Sequence, residues 1–224
     1  MPTSQQILDG LGTIASNWRG LAIAWHVVCG AALIALALGW RPAKRLAGTL
    51  LALPAVSVSV LAWLTGNPIN GVAFAVLAAA LGAVGLRLPG SRVRIGAPWP
   101  VVVGGVLIAF GWVYPHFLDA DTRAAYLYAA PLGLIPCPTL SAMVGAALVV
   151  DGLGSRAWSL ILSGSAVLYG VVGWFHLGVA IDGVLLVGAI TLGIATLVRR
   201  EHASPETTRA FDVETRPAGA ERTA

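Results

Sequence analysis

Charge is scarce in this chain. Asp, Glu, Lys and Arg make up 11% of its 224 residues, against about 25% in a soluble domain. Water cannot solvate a surface so poor in charge, so lipid is the solvent expected for most of it. Lysine is nearly absent: of the 14 basic residues only Lys44 is not Arg, a usage that fits a GC-rich bacterial genome and hence a bacterial inner membrane. Cysteine is limited to Cys29 and Cys137, which excludes a disulfide scaffold and a four-thiolate metal site. There is no Gly-x-Ser-x-Gly, His-Glu-x-x-His or phosphate-loop pattern, so a hydrolytic enzyme is not expected. No basic segment precedes the first apolar run, which argues against a cleavable signal. No internal repeat of the transporter kind is visible.

What is present is apolar sequence, 57% of the chain. Seven runs stand out: 20–40, 46–64, 69–86, 99–118, 125–150, 157–176 and 181–198. Each is near the ~20 residues needed to cross a bilayer. None carries Asp, Glu, Lys or Arg away from its ends. The fold expected is therefore an all-α, polytopic integral membrane protein with about seven transmembrane helices. Residues 1–18 place Ile7, Leu8, Leu11, Ile14, Ala15 and Trp18 at helical spacing opposite Gln5, Asp9, Thr13, Ser16 and Asn17, which reads as an interfacial amphipathic helix. Residues 19–198 form the transmembrane domain, and 199–224, polar and rich in Thr, Arg and Glu, form a disordered cytoplasmic tail.

Basic residues orient the chain. Arg41, Lys44, Arg45, Arg87, Arg92, Arg94, Arg156, Arg199 and Arg200 fall at one set of span ends, and only Arg19 and Arg123 at the other. The first set belongs in the cytoplasm, which puts the amino terminus outside. Tryptophans at the span ends fit an aromatic belt: Trp18, Trp63, Trp112 and Trp174 outside, Trp40, Trp99 and Trp158 inside. The basic residues flank apolar runs instead of forming a patch, so the net charge of +4 does not indicate nucleic acid.

The fifth run breaks the rules of a helix. Pro131, Pro136 and Pro138 lie within eight residues. Each lacks an N–H and disfavours helical geometry in the residue before it. The outer half of this span is expected to be kinked or unwound, with Cys137 pushed out of the helical region. Thr139 and Ser141 offer hydroxyls to the carbonyls set free. The stretch Tyr114-Pro115, followed by Tyr128-Ala-Ala-Pro131-Leu-Gly133-Leu-Ile-Pro136-Cys137-Pro138-Thr139, resembles the signature of an uncharacterised family of bacterial multi-pass membrane proteins. The resemblance spans about Trp25 to Leu197. It departs from the family at Leu140, where a second Thr is usual, at Leu132, where a Phe is, and in lacking an acidic Asn-Glu pair near the amino terminus. It implies the multi-pass fold and a role for Cys137, and it implies no activity.

Three histidines and both cysteines fall in the outer half of this topology. His26 and Cys29 share a helix face about one turn apart, and Cys137 lies in the broken span. His116 and His176 close outward-running spans, and Asp119, Asp121 and Asp182 occupy outer loops. Polar groups at membrane depth usually face a cavity or one another. Imidazole and thiolate together suit a transition metal. The function expected is binding or transport of a metal ion or small solute at an outward-facing site, with His26, Cys29 and Cys137 deep and His116, His176 and Asp182 near the mouth. Two alternatives remain open. One is a thiol or haem redox protein using Cys29 with Cys137, or two histidines. The other is a non-catalytic subunit or assembly factor whose small residues, such as Gly104, Gly105, Gly164, Gly188 and Gly193, pack against a helix partner or a second copy.

Overall fold

The computed structural model describes residues 3–118 and 122–198. All regular structure in these residues is helical. The helices are α1 (Ser4–Asn17), α2 (Arg19–Ala37), α3 (Lys44–Leu64), α4 (Pro68–Leu86), α5 (Pro98–Val113), α6 (Tyr126–Ala129), α7 (Pro136–Val149), α8 (Arg156–Val171) and α9 (Gly183–Val198). Five helical stretches are long and apolar enough to cross a membrane: Arg19–Ala37, Lys44–Leu64, Pro68–Leu86, Arg156–His176 and Ala180–Val198. Their outward surfaces are aliphatic. Val27, Ile34, Ile69, Val76, Val102 and Val187 are all more than 60% exposed, a surface that suits lipid and not water.

Two expected spans are shorter than the sequence indicated. The run 99–118 stays helical only to Val113. Pro115 disfavours helical geometry at Tyr114, whose ψ is 105°. The run 125–150 is split into α6 and α7 by an irregular segment, 130–135. At 1.5 Å per residue, α5 and α7 reach about 24 and 21 Å, short of a ~30 Å hydrocarbon core. These two helices pack backbone to backbone at the centre. A Cβ on Gly104 would lie 2.5 Å from the Gly145 carbonyl, and one on Gly111 would lie 2.5 Å from the Pro138 carbonyl.

Loop contacts define two ends of the bundle. At the arginine-rich end, Lys44 N donates to Ser91 O and Val93 N to Pro42 O, each at 2.9 Å, which joins the loops carrying Arg41, Lys44, Arg45, Arg92 and Arg94. Between α7 and α8 at this end, Asp151, Gly152, Leu153 and Gly154 all take φ between 54° and 64°. Leu153 is buried in the core there, which fixes this left-handed turn. Trp158, expected at the membrane interface, is fully buried in the same core. It sits in the first turn of α8.

At the opposite end, α1 is a helix as expected, closed by a capping box of Thr3 and Gln6. Its apolar residues Leu11 and Ile14 pack on Leu61, Leu134 and Ile135 of the same chain, so protein covers that face. Helix α2 is attached mainly at its start. Only Ala22 and His26 are buried, and beyond them α2 stands off from α3, α5 and α7 across an apolar cavity of about 210 Å³. The tail 199–224 and His202 lie outside the described residues, as do Asp119 and Asp121.

The closest helix contact gives a direct test. Gly104→Val forces α5 away from α7 and should destabilise the protein by about 1–3 kcal/mol. Gly105→Ala, where nothing lies within 4 Å of the added carbon, should leave stability unchanged. Thermal unfolding in detergent compares the two; equal midpoints would contradict the packing.

Candidate functional site

The broken span is built differently from the expectation. Helix α7 begins at Pro136 with Ile135 as its extended N-cap. Pro136 and Pro138 therefore occupy the first turn, where backbone N–H groups have no intrahelical partner and their loss is harmless. Cys137 is consequently helical, not displaced from the helical region. The break lies earlier. Pro131 O accepts from Leu134 N and Ile135 N, and Gly133 has φ +75°. A side chain at Gly133 would also run into the Trp25 indole, so both backbone and space require glycine there. Thr139 clamps the segment: its Oγ1 accepts from Gly133 N at 2.9 Å and donates to Ile135 O at 2.7 Å. Residues 129–136 are buried throughout, which is where irregular backbone at membrane depth is tolerated.

Cys137, in the first turn of α7, lies beside Asp182, near enough for thiol and carboxyl to interact. Asp182, expected in an outer loop near the mouth, lies in the connection between α8 and α9; it ends a short turn, Ala180–Asp182, that leads into α9, and it is 1% exposed. Its Oδ1 accepts from the Tyr114 hydroxyl at 2.7 Å. Tyr114 is itself fully buried, in the extended residue after α5. The segment after α8, Val172–His176, is a π-helical turn, a feature frequent at functional sites. Within it Gly173 makes room for the carboxylate, since a Cβ there would overlap Asp182 Oδ2. Tyr169 on α8, whose hydroxyl donates to Asn70 Oδ1 at 2.9 Å, also lies near Cys137. Ser141 follows Cys137 by one turn on the same face; it is fully buried, and its hydroxyl has no hydrogen-bond partner among the described residues.

The other candidates are placed elsewhere. Both His26 ring nitrogens lie against backbone carbonyls, Nδ1 at 2.8 Å from Ala22 O and Nε2 at 2.9 Å from Trp112 O. The ring thus ties α2 to the last turn of α5. Cys29 lines the apolar cavity beside α2. It and Cys137 are both free thiols in different surroundings. His176 is exposed, and its carbonyl accepts from Ser4 Oγ at 3.2 Å. His116 is exposed, two residues after Tyr114. Among the described residues no three His, Cys, Asp or Glu side chains stand close enough to share a metal ion.

Sequence reasoning gave Tyr114 and Gly173 no role. Tyr114 has a visible signal, a hydroxyl-bearing aromatic fixed by the following proline at the end of an apolar run. Gly173 has none, because the contact it permits is made by a residue in the turn before α9.

No family model, curated protein or solved structure matches the chain. The resemblance to a Pro-Cys-Pro-Thr family rests on the sequence pattern alone. Fold and composition define the class: a helical, multi-pass membrane protein.

The Thr139 clamp is testable. Thr139→Val leaves the buried Gly133 N–H without its acceptor and should destabilise by about 1–3 kcal/mol. Thr139→Ser should restore most of that loss in the same melting experiment. Equal melting of Thr139→Val and the parent would show that the clamp bears no load.

Proposed function

We propose that this protein binds a divalent transition-metal cation of the zinc type, at Asp182 and Cys137, from the outer face of a bacterial inner membrane. The observation that carries the reading is the burial of Asp182 with the Tyr114 phenol as its hydrogen-bond donor, the Cys137 thiol beside it and no Lys or Arg partner among the described residues. A carboxylate out of water without a fixed counter-charge is costly, and a proton or an arriving cation relieves that cost. Carboxylate with thiolate selects a borderline metal over sodium or calcium.

Roles follow from placement. Cys137 and Asp182 are the primary ligands. His116, exposed close by, is the third donor, and it reaches the ion by turning inward. Water completes the shell. Tyr114 orients the carboxylate, and the π-helical turn at Gly173 leaves the second carboxylate oxygen uncrowded. His26, Cys29 and His176 fall outside this ligand set: His26 is committed to carbonyls, Cys29 faces the apolar cavity, and His176 has only its carbonyl engaged at the rim. The proposed activity is binding and not conduction, because the cavity beside α2 is apolar and offers an ion no ligands toward the arginine-rich end.

The outward direction rests on the basic-residue bias of the loops. Seven crossings accommodate it: the five long helices, plus α5 and the α6–α7 pair as two shortened ones.

Zinc titration of the chelator-stripped, detergent-purified full chain tests the proposal. One equivalent should bind, and Asp182→Asn and Cys137→Ser should each weaken it at least tenfold. Cys29→Ser should leave binding unchanged. Undiminished binding by the Asp182→Asn, Cys137→Ser double variant would overturn the assignment. So would an equal loss in Cys29→Ser.

A further inference from the structure

The cavity beside α2 is independent of the cation group and has its own chemistry. Its walls are apolar: Cys29, Ala32 and Leu36 of α2 face Leu50 of α3 and Met143 and Ala146 of α7. From Trp25 to Leu36, both lining residues, it runs about 17 Å along α2 at 1.5 Å per residue. That is close to one leaflet, half of a ~30 Å hydrocarbon core. The cavity opens sideways onto the lipid-facing surface, since Val28, Leu50 and Leu53 line it and are each at least 45% exposed.

Its two ends differ. The far end stops at Trp25, Leu132 and Gly133, against the broken segment. The near end is bounded by Trp40, Pro42 and Val93. Chain neighbours of these three are Arg41, Ala43, Arg92 and Arg94, with Lys44 and Arg45 one turn on. The Arg41 guanidinium donates to the Leu36 and Trp40 carbonyls, and Arg45 Nε donates to Leu88 O. In these bonds both guanidinium groups donate to neutral carbonyls. Asp151, beside the lining residue Val150, is the one acidic residue among the described residues of this rim, against five basic ones.

An apolar slot one leaflet long, open to lipid along its side and cationic at its foot, has the complement of a single-tailed half of a phospholipid. We infer that the groove holds one acyl chain of an anionic phospholipid, with its phosphate on the rim formed by Arg41, Lys44, Arg45, Arg92 and Arg94. The groove also accounts for α2. A helix of 19 residues with only two of them buried lacks packing partners from the protein along most of its length. A bound chain supplies them, and it supports the Trp25–Gly133 contact from below.

Native mass spectrometry of the detergent-purified full chain tests this, using phosphatidylglycerol and phosphatidylcholine with identical acyl chains. The parent should retain one phosphatidylglycerol per chain, at least fivefold over phosphatidylcholine. Ala32→Phe and Ala146→Phe fill the slot from opposite walls, and each should lose the bound lipid. Arg92→Gln with Arg94→Gln should keep a bound lipid but lose the headgroup preference. Equal retention of the two lipids by the parent would overturn the proposal, a result that needs no variant to fold. Undiminished retention by a folded slot-filling variant would also overturn it. So would a dimer cross-linked through Ala32→Cys, which would give the groove to a second copy. Zinc binding plays no part in these readouts, so its failure leaves this inference standing.

Discussion

Asp182 is a buried carboxyl group with a phenol as its hydrogen-bond donor and a thiol beside it. The three groups come from three separate parts of the chain. Tyr114 follows α5, Cys137 opens α7 and Asp182 leads into α9. A group so costly to bury persists only if the elements carrying its partners are fixed closely. The glycine contacts of α5 with α7 supply that fixity, because helices whose backbones touch cannot slide freely. Gly104, Gly111 and Gly145 set the distance at which the phenol and the thiol reach one carboxylate.

The broken span follows from the same constraint. Cys137 reaches Asp182 because α7 starts late, at Pro136, and its first turn lies beneath the irregular segment. Irregular backbone in that position needs internal partners, which Pro131 and Thr139 provide. It also needs a cover, and the amphipathic α1 packs its Leu11 and Ile14 on Leu134 and Ile135. The opposite end is organised by charge. Its loops are joined through Ala43 and Arg92 and gather the basic residues into one rim. Each end of the bundle thus has its own chemistry, a buried carboxyl group at one and a basic rim at the other.

Much of this architecture could be read from residues alone. Apolar runs of the right length placed the five long helices, and the helical spacing of Ile7, Leu11 and Ile14 marked α1. The anomaly of the fifth span was also visible, since Pro131 and Gly133 punctuate it. What failed was the inference from Pro136 and Pro138. Proline in a helix interior breaks it, but proline in the first turn is harmless, and the sequence does not show which side of a break a proline falls on. The thiol and the carboxylate were both named, yet their contact was not, because it depends on where the turn 180–182 folds back between helices. His26 was named as a ligand from depth and spacing; both its ring nitrogens lie against backbone carbonyls, a contact that depth and spacing do not reveal. Trp158 misled in the same way, since position at a span end does not distinguish the interface from the core.

The central claim is that a thiol and a carboxylate share one cation. X-ray absorption at the zinc edge, on protein loaded with one equivalent, reads the ligands directly. The account predicts a mixed shell with one sulfur at about 2.3 Å and the remaining positions filled by oxygen and nitrogen, the sulfur vanishing in Cys137→Ser. A shell of oxygen and nitrogen alone in the parent protein would contradict it.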